Sequence, residues 1–252
     1  MHRLRQDGEA FYVTHRKDFA RTEISKEQLG DAINFAYKMV YGEGHHRSTR
    51  KGGTAERKDA EIFCNTFQGK LAEIILYTLL KARNIEVSGL DFSVNGIGIW
   101  DDCDLIANGK RISIKSAASF SNLLLLEEED WNKNGVYKPD LSRGKKTAYD
   151  AFVLMRFKPD VKSLFRAESL FDSDKELTLT QLQNIIFKAP WYYDFAGYIS
   201  ASCFKNLISD KFIIPKNARL NGSVKMDAAN YYCQAGDMPG LETFIEKIHN
   251  SR

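Results

Sequence analysis

The stretch that decides the reading is Asp101-Asp102-Cys103-Asp104-Leu105-Ile106-Ala107-Asn108-Gly109-Lys110-Arg111-Ile112-Ser113-Ile114-Lys115. Asn108-Gly109 is the strongest short-range signal for a two-residue hairpin turn, because a type I′ turn needs a positive φ at both central positions. With the turn there, Ala107 pairs with Lys110, Ile106 with Arg111, Leu105 with Ile112, Asp104 with Ser113, Cys103 with Ile114 and Asp102 with Lys115. Side chains alternate with a period of two along each strand. Asp102, Asp104, Arg111, Ser113 and Lys115 therefore share one face, and Cys103, Leu105, Ile112 and Ile114 share the other. Directly opposed side chains lie about 5 Å apart and diagonal ones about 7–8 Å apart. Carboxylates, a hydroxyl and an amine thus collect in one small cluster. A half-buried strand pair whose polar face meets water would alternate in the same way, but it gives no reason for Asp-Asp-x-Asp ahead of the turn.

Two helices precede the hairpin. Ser25 and Gln28 form a capping-box pattern, with Ile24 and Leu29 in the hydrophobic-staple positions. Leu29, Ile33, Phe35, Ala36 and Val40 follow at roughly helical spacing, and Gly42 and Gly44 end the run. A second helix is predicted from about Asp59 to Ala82, with Phe63, Phe67, Leu71, Ile74, Ile75 and Thr78 on one face. Inside it, Gly69-Lys70-Leu71-Ala72-Glu73 places Gly69 and Glu73 one turn apart. A glycine in a helix interior costs about 1 kcal/mol relative to alanine, so close approach of another backbone is the expected reason for it. The plainer alternative is a solvent-facing glutamate beside a packing glycine.

After the hairpin, Tyr149 to Phe157 reads as a buried strand and Ala196 to Ala201 as another, with Leu177 to Phe187 of undecided type between them. A final helix, Leu241 to His249, follows Pro239-Gly240. This order describes an α/β domain with a mixed sheet. No repeat, low-complexity run or linker divides the 252 residues. One domain is expected over 1–252: an amino-terminal helix and basic arm (1–58), a core (59–160), and carboxy-terminal strands, loops and helix (161–252).

Composition sets outer bounds. Hydrophobic residues make up 43% of the chain, too many for a disordered one. No apolar run is long enough to span a bilayer, and no apolar segment follows the basic start, so no membrane partner and no secretory signal are expected. The four cysteines (Cys64, Cys103, Cys203 and Cys233) form no CxxC pair, which argues against structural zinc and a disulfide framework and for a reducing, cytoplasmic setting. The net charge of +3 leaves binding of a polyanion to local patches.

Glutamate on a helix, aspartate on a strand and x-Lys on the next strand form an ordered set that resembles the PD-(D/E)xK nuclease superfamily. In that superfamily an acid opens one strand, a (D/E)-x-K triplet lies on the adjoining strand, and a helix often adds a glutamate in a G-x-x-x-E pattern. The matching positions are Glu73, Asp104 and Ser113-Ile114-Lys115. The motifs span about fifty residues. Ser121 to Leu125, Asp130 to Tyr137 and the two later strands resemble the layout of some type II restriction endonucleases. The resemblance implies a restriction-endonuclease-like mixed β-sheet core flanked by helices. It also implies Mg²⁺-dependent hydrolysis of double-stranded DNA, a homodimer, and a prokaryotic cytoplasmic setting.

On this reading Glu73, Asp104, Ser113 and Lys115 are the candidate catalytic residues, and Glu73, Asp104 and Asp102 the candidate metal ligands. One departure matters: Ser113 stands where the triplet carries an acid, and a hydroxyl is a poor anionic ligand for a hard cation. Glu73 from the helix is the favoured replacement. Asp102 from across the hairpin, or a site that no longer cuts, are the alternatives. Arg47, Arg50 and Lys51 in the arm, with Lys138, Arg143, Lys145 and Lys146 further on, are the candidate DNA contacts. Lys205, Lys211, Lys216, Arg219 and Lys225 form a third basic stretch. A repair or junction-resolving nuclease would use the same core, and a non-catalytic DNA-binding relative would keep it without the chemistry.

Overall fold

The computed structural model describes residues 1–42, 58–92, 104–141, 148–173 and 175–250. The chain opens with three short strands, β1 (Arg5–Asp7), β2 (Ala10–Tyr12) and β3 (Thr22–Glu23), followed by helices α1 (Lys26–Tyr41) and α2 (Asp59–Lys81). Strands β4 (Leu105–Ala107), β5 (Lys110–Ala118) and β6 (Leu123–Glu127) come next, then the short helix α3 (Lys138–Leu141) and strand β7 (Ala151–Lys158). Helices α4 (Val161–Ala167) and α5 (Leu179–Ile186) lead to β8 (Tyr192–Ser200) and α6 (Ala201–Ser209). The chain ends with β9 (Ile213–Ile214), β10 (Arg219–Leu220), β11 (Val224–Lys225), β12 (Asn230–Gln234) and α7 (Leu241–His249). The fold is mixed α/β.

A five-stranded sheet with the order β3-β8-β7-β5-β4 organises the molecule. Strands β5 and β7 run parallel, and the other neighbours are antiparallel. The segment after α2 adds an isolated antiparallel bridge, Val87 to Ala107, on the outer side of β4. Strand β7 explains why the sheet is covered on both faces. Val153, Met155 and Phe157 enter one core with Ile33, Phe63, Phe67, Leu71, Trp191 and Phe244. Phe152 and Leu154, one position out of step, enter a second core with Trp131, Phe204, Phe212 and Tyr232. Helices α1, α2, α5 and α7 thus cover one face. The small antiparallel sheet β6-β12-β9 and α6 cover the other. Each large side chain buried in this way contributes about 1.5–3 kcal/mol.

The buried charge in β7 is Arg156, which is fully buried. Its Nε donates to Asp194 Oδ1 at 2.9 Å, and its two terminal nitrogens donate to the carbonyls of Lys17 and Asp18, each at 2.8 Å. The guanidinium therefore fastens the segment between β2 and β3 against the sheet. A buried charge with such partners is far less costly than an unpaired one.

Several sequence expectations hold. Helix α1 carries the capping box: Gln28 N–H donates to Ser25 Oγ and Ser25 N–H to Gln28 Oε1, both at 3.2 Å. Helices α2 and α7 fall where their patterns put them. The segment of undecided type is helix α5, whose N-cap Thr178 forms its own capping box with Gln181. Two expectations need correction. The strand read as Ala196 to Ala201 begins at Tyr192, because Asp194 is tolerated inside it as the partner of Arg156, and it ends at Ser200, where the serine side chain caps α6. The hairpin's first strand starts at Leu105 among the described residues, and Asp101 to Cys103 lie outside them. No helix among the described residues is long and apolar enough to cross a membrane.

Candidate active site

The hairpin register is the one expected from Asn-Gly: Leu105 pairs with Ile112, Ile106 with Arg111 and Ala107 with Lys110. Asn108 and Gly109 have φ of 45° and 75°, the two positive values a type I′ turn requires. Facing follows from the register. Ile112 and Ile114 pack into the core beneath α2, whereas Ala117 packs into the opposite core, which puts Ser113 and Lys115 on that second face. The polar face does not simply meet water, since Ser113 is only 3% exposed.

Asp104 sits at the open end of this hairpin, immediately before β4. Its Oδ2 accepts a short hydrogen bond from Ile114 N–H, and the Ser113 hydroxyl also bonds to its carboxyl group. Part of the residue remains accessible. Burial is nevertheless the largest influence on the carboxyl and holds its pKa above the ordinary value. The charge of Lys115, the Ile114 N–H, the charge of Lys70 and the Ser113 hydroxyl all pull it back down without cancelling that effect. Three of the four sequence candidates, Asp104, Ser113 and Lys115, are therefore brought together by the hairpin alone.

The fourth, Glu73, comes from α2. Its carboxylate is one-fifth exposed (21%) and pairs with Lys70 one turn earlier on the helix. Lys70 was not singled out in the sequence and is the main addition. It is 4% exposed, donates to Asp91 O at 2.8 Å, and has its ammonium 4.3 Å from the centre of the Phe35 ring and 5.6 Å from that of Phe92. A buried ammonium needs such acceptors and π-faces to offset its lost hydration. Lys70 also acts electrostatically on Asp104, so its ammonium lies within electrostatic range of both carboxylates. The sequence signal available was a lysine three residues before a glutamate, at the edge of the apolar run Leu71 to Leu80.

Gly69 corrects an expectation. A Cβ placed on it meets no described atom within 4 Å, so close approach of another described segment does not account for it.

A hard divalent cation is chemically compatible with this donor set. An ionised carboxylate offers about four acceptor positions, and the two hydrogen bonds on Asp104 leave capacity for an ion. Glu73 offers a second carboxylate, shared with Lys70. Among the described residues the two do not belong to a close group of three ligating side chains, and Asp102 lies outside those residues.

Comparison of the chain with protein-family models, with characterised proteins and with solved structures gave no match.

The candidate DNA contacts are only partly in view. Lys138 is exposed at the start of α3. Arg47, Arg50, Lys51, Arg143, Lys145 and Lys146 lie outside the described residues. Lys205, Lys211, Lys216, Arg219 and Lys225 are exposed around α6 and the strands after it. Trp131 is a core residue, 5% exposed. It packs edge-on against Phe152 and Phe204, with ring centres 5.2 and 5.0 Å away.

Proposed function

We propose that this chain is a Mg²⁺-dependent endonuclease acting on double-stranded DNA, resembling type II restriction endonucleases and working as a homodimer, with a restriction-endonuclease-like core. The observation that carries the reading is the placement of Asp104. The hairpin register seats its buried carboxyl on Ser113 and Ile114, under the charge of Lys115. A desolvated carboxylate can hold a cation, and an amine at the same spot can orient water and stabilise charge on a phosphate.

Asp104 and Glu73 would hold the ion, with Asp102 as a further carboxylate. Mg²⁺ would neutralise charge on the scissile phosphate and acidify a bound water. Lys115 holds and orients the attacking water through its ammonium and stabilises negative charge as it develops on the phosphate oxygens. The Ser113 hydroxyl and Ile114 N–H fix the direction of the Asp104 carboxylate; they position it and touch nothing that reacts. Lys70 neutralises Glu73 in the absence of a cation, so Glu73 becomes a ligand by sharing or exchanging that partner.

One observation favours a second reading, a DNA-binding relative without chemistry: the acid expected at position 113 is a serine, and the substitute acid already has a cationic partner. Incubating the protein with plasmid DNA and Mg²⁺ and mapping the ends separates the two. The nuclease reading expects metal-dependent ends, lost in Asp104→Ala and in Lys115→Ala while DNA binding persists. Absence of cleavage by the wild-type protein across Mg²⁺ and Mn²⁺, with DNA binding retained, establishes the second reading.

A further inference from the structure

Away from the hairpin, His2, His15 and Asp237 converge at the junction of the two chain ends. His2 Nδ1 lies 2.6 Å from Asp237 Oδ1, and His15 Nδ1 lies 3.3 Å from the same oxygen. The two imidazoles stack with ring centres 3.4 Å apart and planes 15° from parallel. Their ligand atoms and that of the aspartate all lie within 4.8 Å of one another.

The three come from separate segments, and one turn of chain holds them together. Strand β12 ends at Gln234, which is fully buried. Its Oε1 accepts from His15 N–H at 3.0 Å and from Thr14 N–H at 2.8 Å, and its Nε2 donates to His2 O at 2.9 Å. Two residues on, Gly236 N–H donates to His15 O at 3.1 Å. A Cβ at Gly236 would lie 2.8 Å from the His15 carbonyl carbon, so only glycine permits the approach. Asp237 follows, its side chain 6% exposed, and its second oxygen accepts from His2 N–H at 2.8 Å. The backbones of His2 and His15 are thus held by hydrogen bonds independent of the ligating atoms. Support of this kind orients metal ligands in known sites.

We propose that His2, His15 and Asp237 form a binding site for a divalent transition-metal ion of the Zn²⁺ class, stapling the amino-terminal segment to the turn after β12. Imidazole nitrogen and carboxylate oxygen bind Zn²⁺ at about 2.0–2.2 Å, which sets neighbouring donors around one ion roughly 3 Å apart; the two ring nitrogens lie 2.6 and 3.3 Å from the same Asp237 oxygen. Two imidazoles and a carboxylate suit Zn²⁺ over Mg²⁺, which prefers oxygen donors. His2 is 60% exposed and His15 38%, so water reaches the site and can complete the coordination.

This site is independent of the hairpin and does not rest on the nuclease reading. The test is calorimetric titration of Zn²⁺ into tag-free, chelator-stripped full-length protein, with thermal melts in parallel. One Zn²⁺ per chain is expected to bind, with a rise in Tm. His2→Ala and His15→Ala each weaken binding roughly tenfold or more and remove the rise. Both are surface changes, and far-UV circular dichroism checks that each variant is folded. His249→Ala, a histidine at the end of α7 and outside the cluster, keeps the wild-type isotherm. No Zn²⁺ uptake by the wild-type protein overturns the proposal. So does uptake that survives both His2→Ala and His15→Ala unchanged.

Discussion

Lys70 donates to the carboxylate of Glu73 one turn further along α2, and the same ammonium reaches the carbonyl of Asp91 at 2.8 Å. The lysine is nearly buried and the glutamate one-fifth exposed, at 4% and 21%. Removing one partner therefore costs more than a surface pair, though less than a fully buried one. Lys70→Met is expected to lower stability by roughly 1–3 kcal/mol, and Lys70→Met/Glu73→Met to recover a good part of it, because the second change removes the carboxylate left without its ammonium. Urea unfolding of the single and double variants measures this. A double variant less stable than the sum of the two singles contradicts the pair's role.

Asp104 gives an expectation in pH. Its carboxyl is held above the ordinary value, with burial as the largest cause, so the native state holds that proton more tightly than the unfolded chain. The resulting stability is complete below the unfolded value, about 4, and is lost as pH rises through the raised folded value. Above that, the wild-type protein bears the cost of a desolvated anion. An asparagine bears no such cost. It can still present a carbonyl oxygen to Ile114 N–H and an amide to the Ser113 hydroxyl. Asp104→Asn is expected to melt above wild type at pH 8 in the presence of a chelator and to converge with it near pH 4, while losing all cleavage. A wild-type protein that is the more stable of the two at pH 8 contradicts this.

Gly69 separates packing from function. With no described atom within 4 Å of a Cβ placed there, Gly69→Ala is expected to stabilise the helix by about 1 kcal/mol. Chemical denaturation reads the gain, and a cleavage assay reads the other half of the question. A variant that is more stable but cuts more slowly shows that the glycine leaves room for substrate. A variant that is less stable shows that the helix needs the bare backbone.

What the sequence revealed follows local physics. The hairpin and α1 were legible because a positive-φ turn and a capping box are decided within four residues. Helix α5 carried the same kind of box, Thr178 to Gln181, but eight residues are too few for apolar spacing to tell a helix from a buried strand. Two-residue strands such as β9 and β10 carry no pattern, since their pairing is supplied by neighbours distant in sequence. In the candidate site, Asp104, Ser113 and Lys115 were legible because one register fixes all three. Lys70 was not, because lysines are mostly exposed and its burial depends on Phe35 and Asp91 from other segments. The His2, His15 and Asp237 cluster spans nearly the whole chain and has no spacing signature.

Ser113 provides the sharpest test of the missing acid. The residue is 3% exposed, lies in register with Phe152 on β7, and bonds to the Asp104 carboxyl. A glutamate there adds volume to a filled space and a second carboxylate beside one already desolvated. Like charges that close raise each other's pKa, and overpacking alone costs about 1–3 kcal/mol. Ser113→Glu is therefore expected to lower stability and leave cleavage no faster. If Glu73 supplies the second carboxylate, Glu73→Ala cuts more slowly, and adding Ser113→Glu recovers part of the loss, because the total negative charge is restored. Single-turnover rates across a Mg²⁺ titration for the three variants decide the matter. Faster cutting by Ser113→Glu alone means that the wild-type site is short of charge and that Glu73, paired with Lys70, does not make up for it. Wild-type rates in Glu73→Ala remove the helix glutamate from the ligand set and leave Asp102 as the next acid to replace.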